Sequence, residues 1–195
     1  LIQLKRDNML QVRIHGRGGQ GVVSAAEMLS VSAFLEGKHA QAVPSFGSER
    51  MGAPVVAFCR IDDKEIRLRE PVLEPNALIV QDPTLFQAID VFNGLPDDGY
   101  LLINTGRDIA ELGIEKAVAR LPEGHVCTVP ATEIAMKYVK RPLPNAVLLG
   151  ALSAITGVIK IESVEEAIKS KFPGKIGEAN IAAARAAYES TSTKS

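Results

Sequence analysis

Two cysteines, three histidines and no tryptophan among 195 residues leave little for metal or redox chemistry. Cys59 and Cys127 stand far apart in apolar, strand-like surroundings, and neither belongs to a Cys-x-x-Cys pair. An iron–sulfur cluster normally takes four thiolates, so the chain cannot hold one alone. The scattering of His15, His39 and His125 argues equally against a structural zinc site, and no metal ligands are expected. Both thiols read as small buried apolar groups. An excess of one charge is also missing: 22 basic and 23 acidic residues are interspersed and sum to −1. That balance carries no electrostatic footprint for nucleic acid. The longest apolar run, Ala146 to Ile159, is interrupted by Ser153 and Thr156 and is too short for a bilayer. No basic-plus-apolar leader precedes the first strand, so the expectation is a cytoplasmic protein without a membrane partner.

What the chain does have is glycine in one place. His15-Gly16-Arg17-Gly18-Gly19-Gln20-Gly21 lies between an expected strand, Gln11 to Ile14, and a long helix of small residues beginning near Val22. Missing Cβ atoms let a backbone approach a ligand, and they permit the positive φ that a tight strand-to-helix turn needs. The first-turn N–H groups of the helix then favour an anion. A phosphate cradle formed by Gly16, Arg17, Gly18, Gly19, Gln20 and Gly21 is the functional reading; a tight turn with no ligand is the plain one. The spacing Gly16-x-Gly18-x-x-Gly21 matches the dinucleotide fingerprint, but the companion acid is absent. A nicotinamide site wants that acid at the end of the second strand, where the sequence has Val43-Pro44-Ser45. Val22-Val23 likewise stands where a triphosphatase loop would carry Lys-Ser. Arg17 adds a positive charge to the loop, or is solvated or ion-paired. A phosphate-bearing ligand that is neither a nicotinamide dinucleotide nor a hydrolysed triphosphate fits best.

The rest of the pattern alternates. A helix over Val22 to Glu36 closes at Gly37, and strands follow at His39–Val43, Ala77–Val80, Tyr100–Ile103 and His125–Val129. Helices are expected near Thr84–Val91, Ile114–Leu121 and Ala131–Val139. Val55–Ile61 and Glu65–Leu68 read as a hairpin inserted around Asp62-Asp63. The last third is helical: Asn145–Ile159 as a core helix or a subunit interface, a helix to Phe172 opened by a capping box at Ser163-Val164-Glu165-Glu166, and an alanine-rich helix over Ala179–Tyr188. The fold class is α/β, a mainly parallel Rossmann-like sheet with helices on both faces. At 46% apolar residues the chain can bury one good core. A single domain over residues 9–190 is expected, with 1–8 as an upstream extension and 191–195 as a disordered tail.

In such a sheet the strand C-termini gather on one edge, where ligands bind. The glycine loop, the Ser45–Pro54 loop, Asp82-Pro83-Thr84 and Asn104-Thr105-Gly106 should share that rim. Asn104 and Thr105 offer an amide and a hydroxyl to a base, ribose or phosphate, or simply start the next helix. The Ser45–Pro54 loop carries Phe46, Gly47, the pair Glu49-Arg50, Met51 and Gly52. Loops of that composition commonly meet a ligand or partner, although the acid–base pair alone reads as solvated.

The runs His15–Gly21, Ala25-Ala26-Glu27, Pro44-Ser-Phe-Gly-Ser-Glu-Arg50 and Gly52-Ala-Pro54, continuing through Arg60-Ile61, Ile66-Arg67 and Glu74-Pro75 to Asp82-Pro83, resemble the gamma subunit of 2-oxoacid:ferredoxin oxidoreductases. The version with Pro-Ser-Phe-Gly and Gly-Ala-Pro resembles the pyruvate branch more than the 2-oxoglutarate branch. The resemblance implies a multi-subunit enzyme that converts a 2-oxoacid and coenzyme A to an acyl-CoA, carbon dioxide and reduced ferredoxin. It places thiamine diphosphate, Mg and iron–sulfur clusters in partner subunits, since this chain has no Gly-Asp-Gly motif and too few thiols. The implied role is non-redox: the Gly16–Gly21 loop takes the phosphates of coenzyme A, with Asn104 and Thr105 nearby. Ser45, Phe46, Gly47, Glu49, Arg50 and Gly52 would then face the thiamine-binding subunit, and no residue of this chain is catalytic. A ligand-free assembly subunit and a free-standing nucleotide-dependent dehydrogenase are the two rival readings.

Overall fold

The computed structural model describes residues 9–44 and 51–192. Six strands form one sheet: β1 (Leu10–Arg17), β2 (His39–Pro44), β3 (Pro54–Asp62), β4 (Ala77–Val80), β5 (Tyr100–Asn104) and β6 (Val126–Val129), in the order β2-β3-β1-β4-β5-β6. β1, β4, β5 and β6 run parallel, with Ile14 opposite Ile79 and Ile79 opposite Leu102. β3 is antiparallel to both of its neighbours, β1 and β2. This is the expected mainly parallel α/β sheet, but its antiparallel element differs from the expected hairpin. Residues 65–68 form no strand. β3 already has a strand on each side, so no free edge is left for them, and 65, 67 and 68 are exposed.

The parallel strands are apolar on both sides, as helices on both faces require. Ile14, Ile79 and Leu102 point into a large core shared with α1 (Val22–Leu35), α4 (Ala131–Tyr138), α5 (Asn145–Thr156), α6 (Ile161–Lys171) and α7 (Lys175–Ser192). Leu78, Val80, Leu101 and Ile103 point into a smaller core. That side is covered by a 3₁₀ turn at Pro83–Gln87 and the one-turn helices α2 (Ile109–Leu112) and α3 (Glu115–Val118). The longer helices expected there, Thr84–Val91 and Ile114–Leu121, are correspondingly shorter. After Gln87 the chain turns where Asp90 Oδ1 accepts from the Phe92 amide at 3.1 Å, which stacks Phe92 on Phe86.

α5 is a core helix rather than an interface. Every residue from Asn145 to Ser153 is buried, and a Cβ at Gly150 would sit 2.0 Å from the Ala184 carbonyl oxygen of α7. Ala183, Ala184 and Ala187 of α7 are buried in that packing. The alanine-rich helix runs through Ser192 with Thr191 buried, so the chain stays helical where a disordered tail from 191 is expected. α6 starts at Ile161, two residues before the expected capping box. Burying Ile161, Val164 and Ile168 on one face sets its register, and the Lys160 amide donates to Glu36 Oε1 at 2.7 Å.

Candidate functional site

β1 delivers Gly16 and Arg17 to the C-terminal edge of the sheet, and α1 begins at Val22 beyond them. The turn between is tied by its own side chain: Gln20 Oε1 accepts from the Arg17 amide at 2.8 Å, and the Gln20 amide donates to the Arg17 carbonyl at 3.1 Å. Gly19 and Gly21 have φ of 93° and 72°, the left-handed region that a side chain resists. Gly18 is used differently. Its amide donates to the Ala53 carbonyl at 2.9 Å, and its carbonyl accepts from the Gly52 amide at 3.1 Å. The glycine loop and residues 51–53 are therefore clasped together by main chain.

Three loop amides, those of Arg17, Gly18 and Gln20, are thus satisfied internally. The amides of Gly19, Gly21, Val22, Val23 and Ser24 take no acceptor from the described residues. All five residues line a groove of about 450 Å³, together with Arg17, Gly18, Met51, Val55, Leu143, Asn145 and Phe172. Among the described residues no side chain caps α1, and no acid stands in its first turn. Its positive end is left open toward the groove. Met51 is 86% exposed, and its Cε would lie 2.8 Å from a Cβ at Gly19.

The charge of Arg17 is already engaged, as the ion-paired reading has it. Its Nε lies 3.2 Å from Asp82 Oδ2, its Nη2 donates to Thr84 Oγ1 at 2.8 Å, and its Nη1 to the Gly52 carbonyl at 3.0 Å. Partial burial pushes the Asp82 carboxyl up. Hydrogen bonds from the Thr84 hydroxyl, the Gln20 side-chain Nε2 and the Thr84 main chain, with the Arg17 charge, outweigh it and hold the group below its usual range. The groove's remaining attraction for an anion therefore comes from main-chain N–H groups and the helix end.

Asn104 and Thr105 share the rim but not the groove. They line a second cavity of about 490 Å³ with Gln20, Gln81, Asp82, Pro83, Gly106, Arg107, Pro130, Thr132 and Glu133. The Asn104 amide donates to the Gln81 carbonyl and to Thr132 Oγ1, each at 2.8 Å, and its oxygen accepts from the Thr132 amide at 3.0 Å. Thr105 Oγ1 accepts from the Arg107 amide at 3.0 Å. Both side chains thus shape the β5 turn and the start of α4. Of the second expected site, Ser45, Phe46, Gly47, Glu49 and Arg50 lie outside the described residues; Gly52 sits in the clasp. Two contributors have no sequence signal of their own, Asn145, buried at the start of α5 with Nδ2 3.4 Å from the Gly21 carbonyl, and buried Gln81; a third, Asp82, is expected on the rim but not as the anchor of Arg17.

Burial pushes the Cys59 thiol up, consistent with an inert core position. Among the described residues no group of three His, Cys, Asp or Glu is placed to hold a metal ion, and no helix is long and apolar enough to cross a membrane.

Residues 11–190 match the family model described as pyruvate ferredoxin/flavodoxin oxidoreductase. The pyruvate/ketoisovalerate oxidoreductases common subunit gamma of Pyrococcus furiosus is 50% identical over 183 residues, covering 94% of this chain and 97% of that one. Among solved structures, the pyruvate oxidoreductase subunit PORC of Thermotoga maritima superposes with a TM-score of 0.79 at 39% identity, covering 93% of this chain and 96% of that one. A 2-oxoglutarate:ferredoxin oxidoreductase from Magnetococcus marinus, solved with 2-oxoglutarate, coenzyme A and succinyl-CoA bound, shares the fold. Its TM-score is 0.70 at 18% identity, over 96% of this chain and 31% of that one.

Proposed function

The chain belongs to the pyruvate ferredoxin/flavodoxin oxidoreductase family, as the gamma subunit of a 2-oxoacid:ferredoxin oxidoreductase complex, and on that premise we propose that it holds the phosphates of coenzyme A. The observation that carries this reading is that five residues lining one open groove, Gly19, Gly21, Val22, Val23 and Ser24, have amides with no acceptor among the described residues. Gly19 is exposed, whereas Gly21, Val22, Val23 and Ser24 are buried or half-buried, and N–H groups shielded from water need an acceptor. A pyrophosphate supplies several acceptor oxygens and a charge that the open end of α1 favours by about 0.3–1 kcal/mol. The apolar walls, Val22, Val23, Val55, Leu143 and Phe172, suit the less polar parts of the same ligand. The Magnetococcus marinus enzyme, which shares this fold and carries coenzyme A, lends support by analogy.

The chain works as one part of the conversion of a 2-oxoacid and coenzyme A to acyl-CoA, carbon dioxide and reduced ferredoxin. Pyruvate and branched-chain 2-oxoacids both fit, since the Pyrococcus furiosus relative is named for pyruvate and ketoisovalerate. Thiamine diphosphate, Mg and the iron–sulfur clusters belong to partner subunits. Cys59 and Cys127 sit on β3 and β6, separated by β1, β4 and β5, and cannot share a cluster. The described part of the second loop, residues 51–53, faces the thiamine-binding subunit in this reading, with Met51 standing out beside the groove. The reading is tested by calorimetry of coenzyme A on the complex co-purified with this subunit. Gly19→Ala, which brings a Cβ against Met51 at a φ of 93°, should weaken binding about tenfold or more. Gly113→Ala, at a φ of 68° with open space around it, should leave binding unchanged. Equal affinity in all three proteins favours the ligand-free assembly role.

A further inference from the structure

Gln81 is 1% exposed, yet neither its Nε2 nor its Oε1 has a hydrogen-bond partner among the described residues. Its main chain is fully engaged: the amide donates to the His15 carbonyl at 2.7 Å and the carbonyl accepts from Asn104 Nδ2 at 2.8 Å. The residue is therefore held rigidly at the end of β4 while its side chain is left unsatisfied. An unmade pair of hydrogen bonds in a buried site is an expense that folding alone gives no reason to keep. Gln81 also lines the cavity of about 490 Å³, which shares no lining residue with the groove.

We propose that this cavity is a second subsite, in which the Gln81 carboxamide receives a neutral group carrying a hydrogen-bond donor and an acceptor side by side. The charges around the cavity balance: Asp82 is paired with Arg17, which leaves Glu133 against Arg107, so neither an anion nor a cation is favoured there. A carboxamide, by contrast, pairs in two-point fashion with a nucleobase edge or with another amide. Gln20 is the residue that yields. It flanks Gly16 together with Gln81, and its Nε2 bond of 3.0 Å to Asp82 is the contact a ligand opens to reach the buried amide. The inference rests on the coenzyme A reading above and extends it. With pyrophosphate over the Gly19–Ser24 amides, one flank of coenzyme A turns into this cavity, and both flanks carry the required chemistry: the adenine edge on one side, the pantetheine amides on the other.

The test is Gln81→Met in the co-purified complex, which keeps side-chain length and removes both polar atoms. Because the replaced group is an orphan, the ligand-free variant should melt about 3 °C higher than wild type. Coenzyme A affinity should fall about tenfold in the same protein. Competition by adenosine 3′,5′-bisphosphate and by pantetheine then names the flank, since the loss should appear with one fragment and not the other. A lower melting temperature overturns the proposal, because the carboxamide would then be satisfied in the folded chain. Unchanged coenzyme A affinity, or a loss shared by neither fragment, also overturns it while leaving the groove assignment standing. Absence of coenzyme A binding to the wild-type complex removes both readings together.

Discussion

Acidification should destabilise this protein in a pH range where few other groups titrate, and the reason is one imidazole. His15 is 5% exposed, and its Nε2 accepts from Arg13 Nε at 3.0 Å. Burial, and after it the Arg13 charge, push its pKa from 6.5 down to about 4. Protonation would place an N–H where Arg13 already donates and set two cations side by side. In the folded state the ring therefore stays neutral down to about pH 4, whereas in the unfolded chain it takes a proton near 6.5. Between those values the unfolded state binds more protons, so stability rises with pH there. It is fully present above about pH 6.5 and lost as the pH falls toward 4. At 1.36 kcal/mol per unit, the whole shift corresponds to about 3 kcal/mol, of which about 2 kcal/mol is gone by pH 5. For a chain of this length that is a melting temperature lower by roughly 4–8 °C. Urea unfolding followed by far-ultraviolet circular dichroism suits a protein without tryptophan. The comparison is His15→Gln, which offers Arg13 an acceptor and cannot titrate. Wild type should lose about 2 kcal/mol more than the variant between pH 7.5 and 5. Parallel stability curves for the two proteins over that interval would refute the reasoning.

Two further perturbations address the packing and the loop. Gly150→Ala forces a Cβ to 2.0 Å from the Ala184 carbonyl; separating α5 from α7 should cost about 1–3 kcal/mol in chemical denaturation. Arg17→Met removes a partly exposed ion pair with Asp82 and a bond to the Gly52 carbonyl. Its effect on global stability should be about 1 kcal/mol or less, while amide exchange at Gly18 and Gly52 speeds up as the clasp loosens.

The site's backbone was legible because glycine spacing reports directly on backbone geometry: Gly19 and Gly21 adopt the positive φ that the turn requires. The long elements were legible for a similar reason, since α1 and the buried strands carry continuous apolar patterns. The misreadings occur where tertiary pairing overrode local signals. Glu65–Leu68 alternates acceptably for a strand, but β1 and β2 occupy both edges of β3. Ser163 to Glu166 has capping-box chemistry, but burial of Ile161 draws the helix start forward. Asn104 and Thr105 are polar at the correct rim, yet whether such groups bond outward or inward depends on Thr132 and Arg107, which only folding brings to them. The engagement of Arg17 by Asp82 belongs to the same class: the two residues lie far apart in sequence and meet because β1 and β4 are neighbours.

The strand inserted between β1 and β2 has a geometric result for ligand choice. Neighbouring strands are about 4.8 Å apart, so β2 runs roughly 10 Å to the side of β1, twice the gap of an ordinary doubly wound nucleotide fold, and its last residue, Pro44, is level with Ile14 rather than with Arg17. A carboxylate mounted there, at Pro44, would have to stretch across the whole width of β3 to clasp a sugar beside the glycine loop. The missing acid is thus a matter of reach: this wiring of the sheet removes the position from which sugar hydroxyls are usually gripped, and leaves main-chain nitrogen as the handle.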